Sequence, residues 1–197
     1  MRGLLFFGFI LLAFACKNEN SQQGDVYFNN GEYEKAIESY TIYLSTEPRD
    51  IKTIYNRGRA YEELGKHKEA LEDFNLVIKI DPLNVNALLS LTADYYDRLH
   101  DYENTIFYAE KVLKLDENNA TAFTLKGKAN QKLGNLQDAL AAYNAAISVN
   151  KEYAEAYLSR GSLRIYGRQT SKACADFRMA RTLGVEKADE LIKKYCK

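Results

Sequence analysis

Small, aliphatic and aromatic residues recur along this chain at helical spacing. Ala70, Phe74 and Val77 fall on one helical face, as do Ala139, Tyr143 and Ala146. Each such face follows a second amphipathic stretch, from which it is separated by a short glycine or polar turn. Leu64-Gly65-Lys66 and Leu133-Gly134-Asn135 are two of these turns. A glycine there supplies the positive φ that ends a helix. The pattern predicts antiparallel helix pairs rather than strands.

The pairs repeat. Gly24, Tyr27, Gly31, Tyr33, Ala36, Tyr40 and Pro48 return 34 residues later as Gly58, Tyr61, Gly65, His67, Ala70, Phe74 and Pro82. A third unit is read from Ala93-x2-Tyr96, with its extra residue in the turn after Pro82. It carries Thr105 for the packing alanine and moves its aromatic one place, to Tyr108. Gly127 and Tyr143 mark a fourth unit, Gly161 and Phe177 a fifth. A period of this length signals a stacked-repeat architecture. Mid-helix glycine costs about 1 kcal/mol relative to alanine. Its recurrence at Gly58 and Gly127 predicts helices that approach with no room for a side chain. Val185, Ala188, Leu191, Ile192 and Tyr195 form one further stripe, the mark of a helix that covers the last exposed face.

These residues resemble the tetratricopeptide repeat family over roughly residues 20–184. The resemblance implies an all-α, right-handed α-solenoid of about five helix pairs plus a C-terminal capping helix. The expected units are 21–50, 51–85, 86–119, 120–153 and 154–184, with the cap at 185–197. It also implies that the first helix of each unit lines a concave groove. By that register the groove takes Lys52, Tyr55, Arg59 and Glu62 from the second unit. Ser90, Asp94, Asp97 and Arg98 come from the third, and Thr121, Thr124, Lys128 and Gln131 from the fourth. Glu155, Leu158, Ser162 and Ile165 come from the fifth. Such a lining suits an extended peptide or a partner helix. Some family members clamp a C-terminal carboxylate with five residues, but only Asn56 meets that pattern. Ser21, Asp25, Ala87 and Leu91 fill the other places.

The first 15 residues differ. Arg2 precedes an uninterrupted apolar run from Leu4 to Phe14, too short to span a bilayer. A charged start, a short apolar run and a small-residue end describe an export signal. Ala13-Phe14-Ala15-Cys16 resembles the lipobox of bacterial lipoproteins, which implies lipidation of Cys16 after cleavage, with 16–20 as a short linker. An ordinary cleaved signal is the alternative. The expected location is the cell envelope, lipid-anchored in an outer membrane. Residues 173–177 and 191–196 together resemble the ending of exported tetratricopeptide proteins of Bacteroidetes type.

Cysteines and charge add limits. Cys174 occupies a core column and lies ten residues before Gly184, with Cys196 twelve beyond it. An antiparallel pair brings the two together, as a disulfide or as two buried thiols. Lys and Arg total 27 against 27 Asp and Glu, so no basic excess points to nucleic acid. No metal, redox or nucleotide motif is present, and no catalytic constellation stands out; no cofactor is expected. His67 and His100 fall in inter-helix turns. The expected function is a non-enzymatic, membrane-anchored scaffold that binds a partner segment. Glycan or cell-wall binding, with tyrosines stacking on sugars, is the alternative.

Overall fold

A computed structural model describes residues 20–196. The expected signal segment, residues 1–15, and Cys16 lie outside them. Among the described residues every regular element is a helix. The order is α1 (20–29), α2 (Tyr33–Leu44), α3 (Ile51–Glu63), α4 (His67–Ile80), α5 (Val85–Asp97), α6 (Tyr102–Leu115), α7 (Ala120–Lys132), α8 (Leu136–Val149), α9 (Ala154–Tyr166), α10 (Thr170–Thr182) and α11 (Lys187–Tyr195). The chain divides into two compact units, one ending at Ala87 and the other beginning at Leu88.

Helix starts are set by short polar side chains. Asp50 accepts from Thr53 N at 2.8 Å, Asn84 from Ala87 N at 3.1 Å and Asn119 from Ala122 N at 2.9 Å. Each satisfies an amide that the first turn leaves without a partner. One backbone bond reaching back five or six residues closes the turn between the two helices of each repeat. Its acceptors are the carbonyls of Tyr27, Tyr61, Tyr95, Asn130 and Arg164. In four turns the donor lies five residues on; from Tyr95 it is Asp101, six residues on, at 2.9 Å.

The extra residue of the third repeat therefore sits between α5 and α6, not after Pro82. That repeat begins at Val85, and Thr92, not Ala93, stands where the second repeat has Gly58. His100 takes the left-handed conformation in this enlarged turn, with φ 52°.

Within four repeats, glycine meets a ring. A Cβ on Gly24 would lie 2.4 Å from Tyr40, on Gly58 2.8 Å from Phe74, on Gly127 2.5 Å from Tyr143, and on Gly161 2.6 Å from Phe177. All four rings are fully buried. The third repeat solves the same problem in reverse: Thr92 brings a side chain, and the facing place shrinks to Ala109. Both are fully buried, and Thr92 Oγ1 donates to Leu88 O at 2.7 Å.

A polar clamp recurs one residue before the glycine and one before the ring. Arg57 donates from Nε and Nη2 to Asp73 at 2.9 and 2.7 Å. Arg160 does the same to Asp176 at 3.1 and 2.7 Å, and Arg164 Nη1 adds a third bond at 2.7 Å. Two parallel bonds on one carboxylate fix both side chains. The same arginines reach back one repeat, to Thr41 and Asn144. The fourth repeat has Ala142 in the aspartate's place, and Lys126 pairs with Glu110 at 2.7 Å. In the third repeat the clamp is replaced by Leu91 and Tyr108, and Tyr108 stacks on Tyr95 with centroids 5.1 Å apart.

Candidate functional site

The N-terminal unit gathers polar groups around Asp25 of α1. Its carboxylate accepts from Tyr40 Oη at 2.8 Å, Lys52 Nζ at 2.7 Å and Asn56 Nδ2 at 2.9 Å. Partial burial pushes the Asp25 carboxyl up. Donation from Lys52, Tyr40 and Asn56 outweighs it and holds the group below the usual carboxylate range. Burial and then Asp25 push the Tyr40 phenol well above its ordinary value. Every member of this cluster is matched by another.

The C-terminal unit holds a cavity of about 640 Å³. It is lined by Tyr96 of α5, Lys128, Gln131 and Lys132 of α7, and Tyr143 of α8. Glu155, Leu158, Ser159 and Ser162 of α9, with Lys187 and Leu191 of α11, complete it. Lys128 donates to Glu155 Oε1, and its Nζ lies 5.7 Å from the Tyr96 ring centroid. Tyr153 Oη donates to Glu155 Oε2 at 3.2 Å. Tyr143 Oη donates to Gln131 Oε1 at 2.9 Å, which orients the amide with its NH2 unused by that bond. Burial pushes the Tyr96 and Tyr143 phenols up, so both rings stay neutral at ordinary pH.

The Lys128–Glu155 pair uses the same two repeat positions as Asp25 and Lys52, with the charges exchanged. Residues 25 and 128 fall one place after the packing glycine, and 52 and 155 fall in the first turn of the next first helix.

Of the residues expected in the groove, Lys128, Gln131 and Leu158 line this cavity, as do Glu155 and Ser162. Lys52 belongs to the Asp25 cluster. Tyr55 is half-buried against the core of Leu44, Ile54, Val77 and Ala87, with its ring 5.6 Å from Phe74. Arg59 pairs with Glu62 at 3.4 Å and Glu63 at 3.9 Å on its own helix.

The third-repeat set needs correction. Asp94 is only 2 % exposed and pairs with Arg98. Ser90, Asp94, Asp97 and Arg98 are displaced by one residue because the extra residue follows α5 rather than preceding it. The equivalent positions are Leu89, Ala93, Tyr96 and Asp97. Thr124 is also corrected: it is 1 % exposed, packed inside its unit rather than facing a groove. The sequence reading missed Tyr96, Lys132, Tyr143, Ser159, Lys187 and Leu191. The cap at Asn84, in step with Asp50 and Asn119, was the signal that would have recovered Tyr96.

The opposite face of this unit carries a cavity of about 500 Å³. It opens at Ala142, where the second and fifth repeats place the clamp aspartate. Cys174 and Cys196 are joined by a disulfide, with Cα atoms 5.7 Å apart. It ties the end of α11 to α10.

Family models for the tetratricopeptide repeat match residues 21–49, 51–84, and 91–156 with 124–181. The chain is built of tetratricopeptide repeats. Its fold is the all-α tetratricopeptide solenoid, and solved structures share it. The type IV pilus biogenesis factor PilW is 20% identical, with a TM-score of 0.78 over 90% of this chain and 82% of its own. MamA 41-end from Desulfovibrio magneticus RS-1 is 20% identical, with a TM-score of 0.77 over 85% of this chain and 94% of its own. YrrB, a tetratricopeptide protein with an unusual peptide-binding site, is 20% identical, with a TM-score of 0.70 over 89% of this chain and 90% of its own. No curated protein sequence matches the chain. Among the described residues no helix is long and apolar enough to cross a membrane, and no cluster of His, Cys, Asp or Glu is suited to hold a metal ion.

Proposed function

We propose that this protein is a non-enzymatic interaction module, held at a membrane of the cell envelope through acylated Cys16. It takes an extended segment of a partner protein into the cavity between α5, α7, α9 and α11. One observation carries the binding reading. The first helices of three successive repeats, closed off by the capping helix, converge on a single concave space of about 640 Å³. Two leucines and two tyrosines line it among lysines, serines and other polar groups, of which Lys128, Gln131 and Glu155 are held by neighbours, a mixed surface that suits a peptide. Glycan stacking finds less support there. Tyr143 is fully buried, and Lys128 sits over the ring of Tyr96.

A photo-crosslinking residue at Leu158, introduced into the membrane-bound protein, tests the reading. The expected result is one stoichiometric protein adduct, absent when the crosslinker is moved to the opposite face at Ala141. Saturable glycan binding with no protein adduct overturns it. Cys16→Ser should release the protein from membranes; retention of the variant there counts against the anchor.

A further inference from the structure

Charge in the cavity is uneven. Lys128, Lys132 and Lys187 face it, against Glu155 alone. Glu155 is already taken by Lys128 and by Tyr153 Oη. Among the described residues neither Lys132 nor Lys187 makes an ion pair. Two ammonium groups therefore line a concave space whose carboxylate, Glu155, is already engaged, and among the described residues neither has an ion-pair partner. Leu158 and Leu191 give the same space apolar surface, and the Gln131 amide is oriented by Tyr143 to donate to an incoming carbonyl. By contrast, the Asp25 cluster of the other unit is internally satisfied.

We propose that the segment bound here is an acidic peptide. Two of its carboxylates meet Lys132 and Lys187, and an aliphatic side chain between them rests on Leu158 and Leu191. This rests on the peptide-binding reading above. A backbone carbonyl suits the amide of Gln131, and side chains alternating between carboxylate and aliphatic suit the lining. Exposed charges of this kind select partners and speed encounter more than they add affinity. The attraction is screened over a Debye length of about 8 Å at physiological salt.

The test is a random dodecapeptide display selection on the detergent-solubilised full chain. Fluorescence polarisation then follows with the most enriched peptide. The expected peptides carry at least two Asp or Glu residues. Lys132→Ala/Lys187→Ala should weaken their binding about tenfold, the sum of two exposed ion pairs, with thermal melting unchanged. Lys132→Arg/Lys187→Arg should restore most of it, and added salt should weaken wild-type binding but not that of the alanine variant. Neutral or basic peptides whose binding survives the alanine substitutions overturn the acidic class while leaving peptide binding in place. No enrichment over bare support overturns the peptide reading itself, and this proposal with it.

Discussion

Gly127 lies so close to Tyr143 that a Cβ would stand 2.5 Å from ring atom Cε1. That ring is fully buried, so it has nowhere to retreat. Gly127→Ala gains about 1 kcal/mol of helix propensity but forces overpacking that costs about 1–3 kcal/mol. The expected net effect is a lower melting temperature, at roughly 2–4 °C per kcal/mol for a chain of this size. In a Tyr143→Leu background the same substitution should stabilise. Thermal denaturation of the four proteins gives the coupling; additivity would show that the ring is not what excludes the methyl group.

The clamp aspartates should rank by the number of arginines each one holds. Asp176 takes Arg160 and Arg164, whereas Asp73 takes Arg57 alone. Removing one partner of a buried pair costs about 3–5 kcal/mol. Asp176→Ala is therefore expected to lower stability more than Asp73→Ala, in which Arg57 keeps Thr41 and its place 6.0 Å from the Tyr61 ring centroid. Arg57→Leu/Asp73→Tyr copies Leu91 and Tyr108 of the third repeat. It should recover most of the Asp73→Ala loss, because Tyr61 occupies the place from which Tyr95 stacks on Tyr108. Urea titrations decide the order.

Acid should loosen the N-terminal unit through Asp25. The folded-state carboxyl titrates below its unfolded value, so its contribution is complete above about pH 4 and fades as pH falls through the lower folded value. Asp25→Asn should flatten that part of the stability curve, below about pH 4. Hydrogen exchange of α1 across this range is the measurement. An unchanged acid limb in the variant would assign it to another group.

Reduction should act locally. Little of α11 is buried: Ala188 is its one buried residue, and Arg181 reaches Asp189 at 3.6 Å in solvent. Opening a loop of 22-residue separation removes roughly 3 kcal/mol by the chain-entropy estimate. Amides of α11 are expected to lose protection on treatment with dithiothreitol while α7–α9 keep theirs. Because Lys187 and Leu191 wall the cavity, ligand binding should weaken in parallel. Protection of α11 that survives reduction would show that packing alone secures the helix.

The helix pairs were legible because their signals are local. Gly58 and Phe74, or Gly127 and Tyr143, stand at a fixed spacing on opposed helices, and period alone predicts that they meet. The third repeat was misread because Tyr95 and Tyr96 are adjacent, and Ala93-x2-Tyr96 imitates Gly58-x2-Tyr61. Burial of Thr92 and Asp94 settles which tyrosine is equivalent. The clamp was missed because Arg57 and Asp73 occupy positions that look solvated in a linear sequence. Only packing across repeats brings them together. Lys187 was hidden for a similar reason: the stripe on α11 showed that the helix caps a face, but not which wall of the cavity its charges would meet.

The exchange of sign between Asp25–Lys52 and Lys128–Glu155 bears on how the chain finds its frame. Near-identical repeats can stack out of sequence, since their apolar faces match almost equally well. A first-repeat helix placed against α9 would set Asp25 beside Glu155, and α3 placed against the fourth repeat would set Lys52 beside Lys128. Both wrong junctions bring like charges together, and only the sequential ones join opposite charges. The two pairs thus carry opposite polarity along the chain, so that frame-shifted stacking at these junctions meets repulsion where the sequential order meets attraction.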